Sequence, residues 1–279
     1  MNAIEVKHVY KKIGEFQLRD LSFSLEQGTV MGFIGQNGAG KSTTIKCILN
    51  LLKITTGEIS VFGKNHIQHE VKMKEDIGVV FDELHIPDGL TSIDLNKFYG
   101  NVYKNWDSTY FFDLLEQLDV SKYTKVKDLS RGMKMKLSLA LALSHHPKLL
   151  ILDEPTSGLD PIVRDEVLDM LLAFMEDESH SILFSSHITS DLEKIADTVT
   201  FIHKGEIVFS ESKDVLLYDY GLWKGTAAQA TEIPEHAILG KRKSAFGLEL
   251  LVKRTLVSPA FTLEKPTIDD VMVFFVKGA

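Results

Sequence analysis

The chain has 279 residues, 44% of them hydrophobic, with 19 glycines, 7 prolines and a formal net charge of −8. Such a composition can build a sizeable globular core and excludes collagen-like or disordered chains. The acidic balance carries no basic footprint, so no nucleic-acid partner is expected, and the single cysteine, Cys47, excludes an intramolecular disulfide.

Met1 to Lys12 lacks the apolar centre of a secretion signal. No window offers the roughly 18 uninterrupted apolar residues of a membrane helix. The expectation is a soluble chain that reaches a membrane only through a partner.

Along the chain, Ile4 to Val9 and Phe16 to Leu25 alternate as strands, and Val30 to Ile34 is a short buried strand. A glycine-rich stretch follows, then a helix from Lys41 to about Leu52. Glu58 to Phe62 and Ile77 to Phe81 read as strands. From about Pro87 to His146 the rhythm is helical. Thr91-Ser92-Ile93-Asp94 resembles a capping box, and Ser108 to Leu118 and Ser130 to Leu143 carry further helices. Leu149 to Leu152 is another buried strand, Arg164 to Met175 a helix, Ser181 to Ser185 a strand and Ser190 to Ala196 a short helix. Thr198 to His203 and Glu206 to Ser210 form a hairpin around Lys204-Gly205. Alternating strands and helices around an all-helical insert predict an α/β core with a helical subdomain at about 87–146. The predicted division is a main domain, 1–218, and a small appended element, 219–279.

Two motifs carry chemistry. Gly35-Gln36-Asn37-Gly38-Ala39-Gly40-Lys41-Ser42 fits G-x-x-x-x-G-K-[ST], between a buried strand and a helix. The glycines let backbone N–H groups turn inward, the helix start adds positive potential, and Lys41 reaches the β- and γ-phosphates. The Ser42 hydroxyl is a candidate Mg²⁺ ligand, and Thr43 continues the site. A dinucleotide site would need G-x-G-x-x-G, which is not matched. The second motif, Leu149-Leu150-Ile151-Leu152-Asp153-Glu154, delivers two carboxylates at a strand end. Asp153 suits a Mg²⁺ shell and Glu154 the activation of an attacking water.

With Leu129-Ser130-Arg131-Gly132-Met133 ahead of the acidic strand, and Ser157-Gly158-Leu159-Asp160 and Ser185-Ser186-His187 after it, the order over about residues 1–215 resembles the ATP-binding-cassette (ABC) family. The resemblance implies a P-loop NTPase (RecA-like) core, an antiparallel β-subdomain, an inserted α-helical subdomain and a small C-terminal appendage. It implies ATP and Mg²⁺ and catalysis by Glu154 and His187. Ser130, Arg131, Gly132 and Met133 would contact ATP held by the opposite subunit, although Arg131 and Met133 depart from the usual Leu-Ser-Gly-Gly-Gln. Asp160 would cross the dimer interface. Asp82 stands where the family usually has Gln, and as a hard oxygen ligand it is a third metal candidate. The adenine-stacking position aligns with Ile13, with Tyr10 or Phe16 as alternatives.

The other histidines and aromatics read mainly as structure. Phe98, Tyr99, Tyr103, Trp106, Tyr110, Phe111 and Phe112 suit core packing or a groove for a partner's helix. His66 with His69, and His145 with His146, lack the company of a metal site. The resemblance further implies a second ATPase subunit, in a homo- or heterodimer, and a separate integral membrane permease subunit. The expected location is cytoplasmic, peripheral at the inner face of the cell membrane. Asp82-Glu83, the signature and the closing Pro266-Thr267-Ile268-Asp269-Asp270 look like ATPase subunits of bacterial ABC-2-type peptide and drug exporters, such as those for phenol-soluble modulins. The alternatives are a soluble mechanical ATPase of the same class, in DNA repair or translation, and a regulator that binds ATP without turning it over.

Overall fold

A computed structural model describes residues 1–244 and 247–277. The chain opens with a hairpin, β1 (Asn2–Ile13) and β2 (Phe16–Glu26). Next come β3 (Val30–Ile34), α1 (Lys41–Ile48), β4 (Thr56–Val61), β5 (Lys64–Asn65), α2 (Glu70–Glu75) and β6 (Ile77–Val80). The helical insert is α3 (Ser92–Val102), α4 (Ser108–Gln117) and α5 (Arg131–Leu143). Then follow β7 (Leu149–Asp153), α6 (Pro161–Phe174), β8 (Ser181–Ser186), α7 (Thr189–Ile195), β9 (Thr198–His203) and β10 (Glu206–Ser212). The tail holds β11 (Tyr220–Gly225), α8 (Ala227–Ala230), β12 (Ile238–Ser244), β13 (Gly247–Lys253) and α9 (Ile268–Lys277).

The central six-stranded sheet runs β10-β9-β3-β8-β7-β6. Strands β3, β7 and β8 are buried along their whole lengths, as parallel strands covered on both faces must be. Parallel pairing of β3 with β8, β8 with β7 and β7 with β6 brings the four C-terminal ends to one sheet edge. Those ends lead into Gly35, Glu154, His187 and Asp82, residues scattered over most of the sequence. The antiparallel sheet β2-β1-β4-β5 covers one side, with Ile4, Leu21, Leu25 and Val61 packed on Phe33 and Ile45. The helical insert packs on the other through Leu137, Leu139 and Phe111.

Most predicted elements are present, with shifted ends. Helix α3 is capped as its sequence suggests: the Thr91 N–H donates to Asp94 Oδ2 at 3.0 Å, and the Asp94 N–H donates back to Thr91 Oγ1. Helix α1 stops at Ile48, four residues short of the expected end, because Asn50 takes a positive φ of 55° and turns the chain. Helix α6 starts earlier than Arg164, since Asp160 caps it through Ile162 N and Val163 N and Pro161 fits the first turn. The tail has two parts. Strands β11, β13 and β12 form a sheet over a small core of Trp223, Ile233, Leu250 and Val252. Helix α9 instead buries Ile268, Val271 and Phe274 in the main core, each worth about 1.5–3 kcal/mol of apolar burial.

Of the aromatic run, Phe111 is fully buried, Tyr99 and Trp106 stack at 5.4 Å, and Phe98 is exposed. Cys47 is buried in the core beneath the antiparallel sheet, and burial raises its thiol pKa to about 11. His145 is buried too, stacked on Tyr103 at 4.0 Å, with Nε2 donating to the Ile77 carbonyl and Nδ1 without a partner. Desolvation lowers its pKa below the ordinary value, and the same holds for His66. A histidine depressed only in the folded state makes the unfolded chain take the proton first. Stability therefore falls as pH drops through about 6.5. We expect the urea midpoint to decline from pH 7.5 to pH 5.5. His145→Gln, which keeps an N–H for Ile77 but cannot titrate, should flatten part of that decline.

Candidate nucleotide site

The phosphate loop leaves β3 at Ile34 and enters α1 at Lys41. Gly40 sits at φ 120°, and a Cβ there would lie 2.7 Å from Leu18 and 3.0 Å from the Phe16 ring, so only glycine fits the turn. Lys41 is 5% exposed; its Nζ donates to the Gly35 carbonyl at 2.7 Å and lies 3.0 Å from Glu154 Oε1. The phosphate-seeking cation thus grips its own loop and one acid.

Glu154 follows β7 directly, at φ 53°, a left-handed setting that costs a non-glycine residue about 1–3 kcal/mol. Two bonds from one residue hold it there: its N–H donates to the Ser185 carbonyl at 3.1 Å and to Ser185 Oγ at 3.2 Å. The same hydroxyl donates to Asp153 Oδ1 at 2.6 Å. Ser185 therefore fixes both acids, a role its sequence context did not disclose. Glu154 Oε2 accepts from His187 Nδ1 at 2.6 Å and from the His187 N–H at 3.3 Å. Because an ionised carboxylate only accepts, Nδ1 carries a proton. Lys41, Glu154 and His187 form one continuous polar chain across the sheet edge.

An open cleft of about 630 Å³ lies over this chain, lined among others by Gln36, Asn37, Gly38, Gly40, Lys41, Ser42, Thr43, Asp82, Glu154 and His187. Gly35 and Ala39 shape the loop behind it; Ala39 is buried, and the Ala39 carbonyl accepts from Gly205 N. Asp153, 3% exposed, sits beneath the floor. Ile13 and Phe16, partners across the β1–β2 turn, form the mouth, whereas Tyr10 pairs with Thr56 on β4 and is not among the lining residues. Phe16 is wedged against Gly40, and Ile13 is 41% exposed.

The signature segment stands differently. Ser130 caps α5, its Oγ accepting from Met133 N at 3.2 Å, and Gly132 packs near Val163. Neither Ser130, Gly132, Met133 nor Asp160 lines this cleft; Arg131 does, and its guanidinium also packs on Gly158, where a Cβ would lie 2.6 Å from Nη1. Behind the site, Asp191 of α7 accepts from Thr156 Oγ1 at 2.6 Å and pairs with Arg164. Sequence reading missed Ser157, Thr156 and Asp191. Ser157 opens the Ser157-Gly158-Leu159-Asp160 segment, but nothing in the sequence marks the other two.

Among the described residues no group of three His, Cys, Asp or Glu is arranged to hold a metal by itself. No described helix is long and apolar enough to cross a membrane.

The family model described as ABC transporter matches residues 18–157. The bacitracin transport ATP-binding protein BcrA of Bacillus licheniformis is 36% identical over 190 residues, covering 67% of this chain and 62% of that protein. The lantibiotic transport ATP-binding protein SrtF of Streptococcus pyogenes is 34% identical over 214 residues, covering 76% of this chain and 91% of that one. Among solved structures, an ATP-binding subunit of an ABC transporter superposes with a TM-score of 0.70 at 26% identity, over 77% of this chain and 91% of its own. A dimeric cassette bound to ADP and Pi, 21% identical, shares the fold with a TM-score of 0.67 over 75% of this chain and 98% of its own. With a phosphate loop, an acidic strand and the following histidine gathered at one edge of a P-loop NTPase sheet, the chain belongs to the ABC transporter family, as an ATP-binding and ATP-hydrolysing subunit.

Proposed function

We propose that the chain works as half of a dimer that closes on ATP and drives a separate integral membrane permease, exporting peptides or other amphipathic compounds. The observation that carries this reading is the division of the phosphate-binding parts. Lys41 and the phosphate loop line one cleft, while Ser130 and Gly132 present the N-terminus of α5 elsewhere. A helix start bearing a hydroxyl and a glycine N–H suits an anion, and a second subunit would bring one. Asp160, at the start of α6, would then lie between the two halves. The exporter assignment rests on BcrA and SrtF, whose names specify bacitracin and lantibiotic transport. We place the chain in the cytoplasm, held at the inner face of the cell membrane by the permease.

Within one site the residues divide the chemistry. Lys41 releases Glu154 and takes the β- and γ-phosphate oxygens, helped by the loop N–H groups from Gln36 to Thr43. Glu154 accepts the proton of the water that attacks the γ-phosphorus as the bond to ADP breaks. His187, anchored to Glu154 through Nδ1, offers Nε2 to the same water or phosphate.

Mg²⁺ fits the donor set. Ser42 and Asp82 offer oxygens at the cleft, Asp153 lies beneath it with Oδ1 held by Ser185, and few protein ligands beside phosphate oxygens is the usual Mg²⁺ arrangement. When bound, Mg²⁺ neutralises phosphate charge. Ile13 offers adenine an apolar surface without a ring.

Glu154→Gln should lower phosphate release by about 10²–10⁴-fold, the size of a general-base contribution. It should also trap an ATP-bound dimer visible by sedimentation. Equal rates in variant and wild type would remove Glu154 from catalysis. Ile13→Tyr should tighten binding of a fluorescent ATP analogue about 3- to 10-fold, as one aromatic stack is worth about 0.5–1.5 kcal/mol; unchanged affinity would move adenine away from Ile13. A pull-down of the tagged chain from detergent-solubilised cells should recover a multi-span membrane protein at near-equal amount. Recovery with ribosomes or DNA instead would favour a mechanical ATPase.

A further inference from the structure

The tail beyond Ser212 has no task in the function proposed above, yet its last helix packs on α7, the helix that follows His187. We propose that α9 positions His187: it clamps α7, and Asp269 is the positioning residue that sets the geometry of the His187–Glu154 pair. The inference rests on the reading of that pair as catalytic.

Helix α7 is a weak element by itself. It spans only Thr189–Ile195, and Ile188 at its N-cap supplies no side-chain bond. Its first turn is therefore held from outside. Thr189, two residues after His187, donates its hydroxyl to Asp269 Oδ2 at 3.0 Å. In the opposite direction the Ile268 N–H donates to Glu193 Oε1 at 3.1 Å, so each helix holds the other's start. The Asp269 carboxylate also lies at the positive end of α7, where a negative charge is favoured.

The sequence around Asp269 frees it for this contact. Thr267 and Asp270 form the cap of α9 between themselves: Thr267 N and Oγ1 donate to Asp270 Oδ2 at 3.0 and 2.8 Å, and Asp270 N donates back at 3.1 Å. Asp269 is left to reach across. Below it, Ile268 and Val271 share the core with Leu192 and Ile195 of α7. On its other side α7 is tied through Asp191 to Thr156, two residues after Glu154. The helix that follows His187 is thus tied to the loop after Glu154 on one side and to the C-terminal helix on the other. A displacement of α9 changes the His187–Glu154 distance without touching nucleotide.

The test uses the full purified chain. Asp269→Ala should lower kcat for phosphate release about 5- to 20-fold and leave KM for ATP within about 2-fold, because misplacement of a catalytic group costs rate rather than binding. Asp269→Asn keeps an oxygen acceptor for Thr189 and should restore most of the rate. In a His187→Ala background, Asp269→Ala should add no further loss, since both changes act through one group. Independently of turnover, Asp269→Ala should shift the ring ¹⁵N signals of His187 in the nucleotide-free chain, and Asp269→Asn should return them. That spectrum decides the matter even where release is too slow to follow without a membrane subunit. Unchanged His187 signals overturn the proposal, as does a full additional loss on His187→Ala, or Asp269→Asn failing like Asp269→Ala with a lowered Tm. If His187→Ala and Glu154→Gln themselves leave release unchanged, the catalytic reading fails instead.

Discussion

A buried cation and a partly buried acid, 3.0 Å apart, set the terms on which this subunit meets its nucleotide. Lys41 and Glu154 are 5% and 14% exposed at their side chains. Either charge alone in that place would be costly, on the scale of 3–5 kcal/mol for a broken buried pair. The ammonium faces Glu154 Oε1 as an ion pair and donates to the Gly35 carbonyl, while His187 donates to Glu154 Oε2. In the function proposed above, phosphate oxygens take the ammonium and Glu154 takes the proton, so one exchange would couple filling the site to arming it, and neutralising Glu154 would act on both.

That exchange needs the two residues at one sheet edge, and the sheet provides this with β3 and β7 on either side of β8. Because β3, β8, β7 and β6 are parallel neighbours, the phosphate loop, Glu154, His187 and Asp82 emerge at the same edge. The left-handed turn at Glu154 then lifts its side chain over the edge, and Ser185 on the adjacent strand holds the turn. Replacing Ser185 by a residue without a hydroxyl would leave the buried Asp153 Oδ1 short of a partner and the Glu154 N–H with the backbone carbonyl alone, a larger fault than its small side chain suggests.

How much of this was legible in the sequence follows the range of each interaction. The phosphate loop, the acidic strand and the Thr91 capping box are local, so their residue order already contains their geometry. The position of Glu154 is not local: it depends on Ser185, and Ser185 matters only once β7 and β8 are known to pair. The adenine side is a similar case. Ile13 and Phe16 both line the mouth of the cleft, and only the fold shows that the Phe16 ring also lies against Gly40. The tail was hardest to read. Its sheet has modest alternation, and the burial of Ile268, Val271 and Phe274 depends on a face of α7 that the sequence does not advertise.

Helix α7 shows why such distant parts belong to one device. Its residues serve three neighbours in turn: Asp191 the loop after Glu154, Leu192 the core, Thr189 and Glu193 the C-terminal helix. A longer, well-capped helix would hold its own position and isolate His187 from the tail. A short one without a side-chain cap takes its position from whatever packs against it. The same weakness that makes α7 depend on its neighbours gives the C-terminal helix a means of reaching the hydrolysis site, through hydrogen bonds that a sub-ångström shift would lengthen.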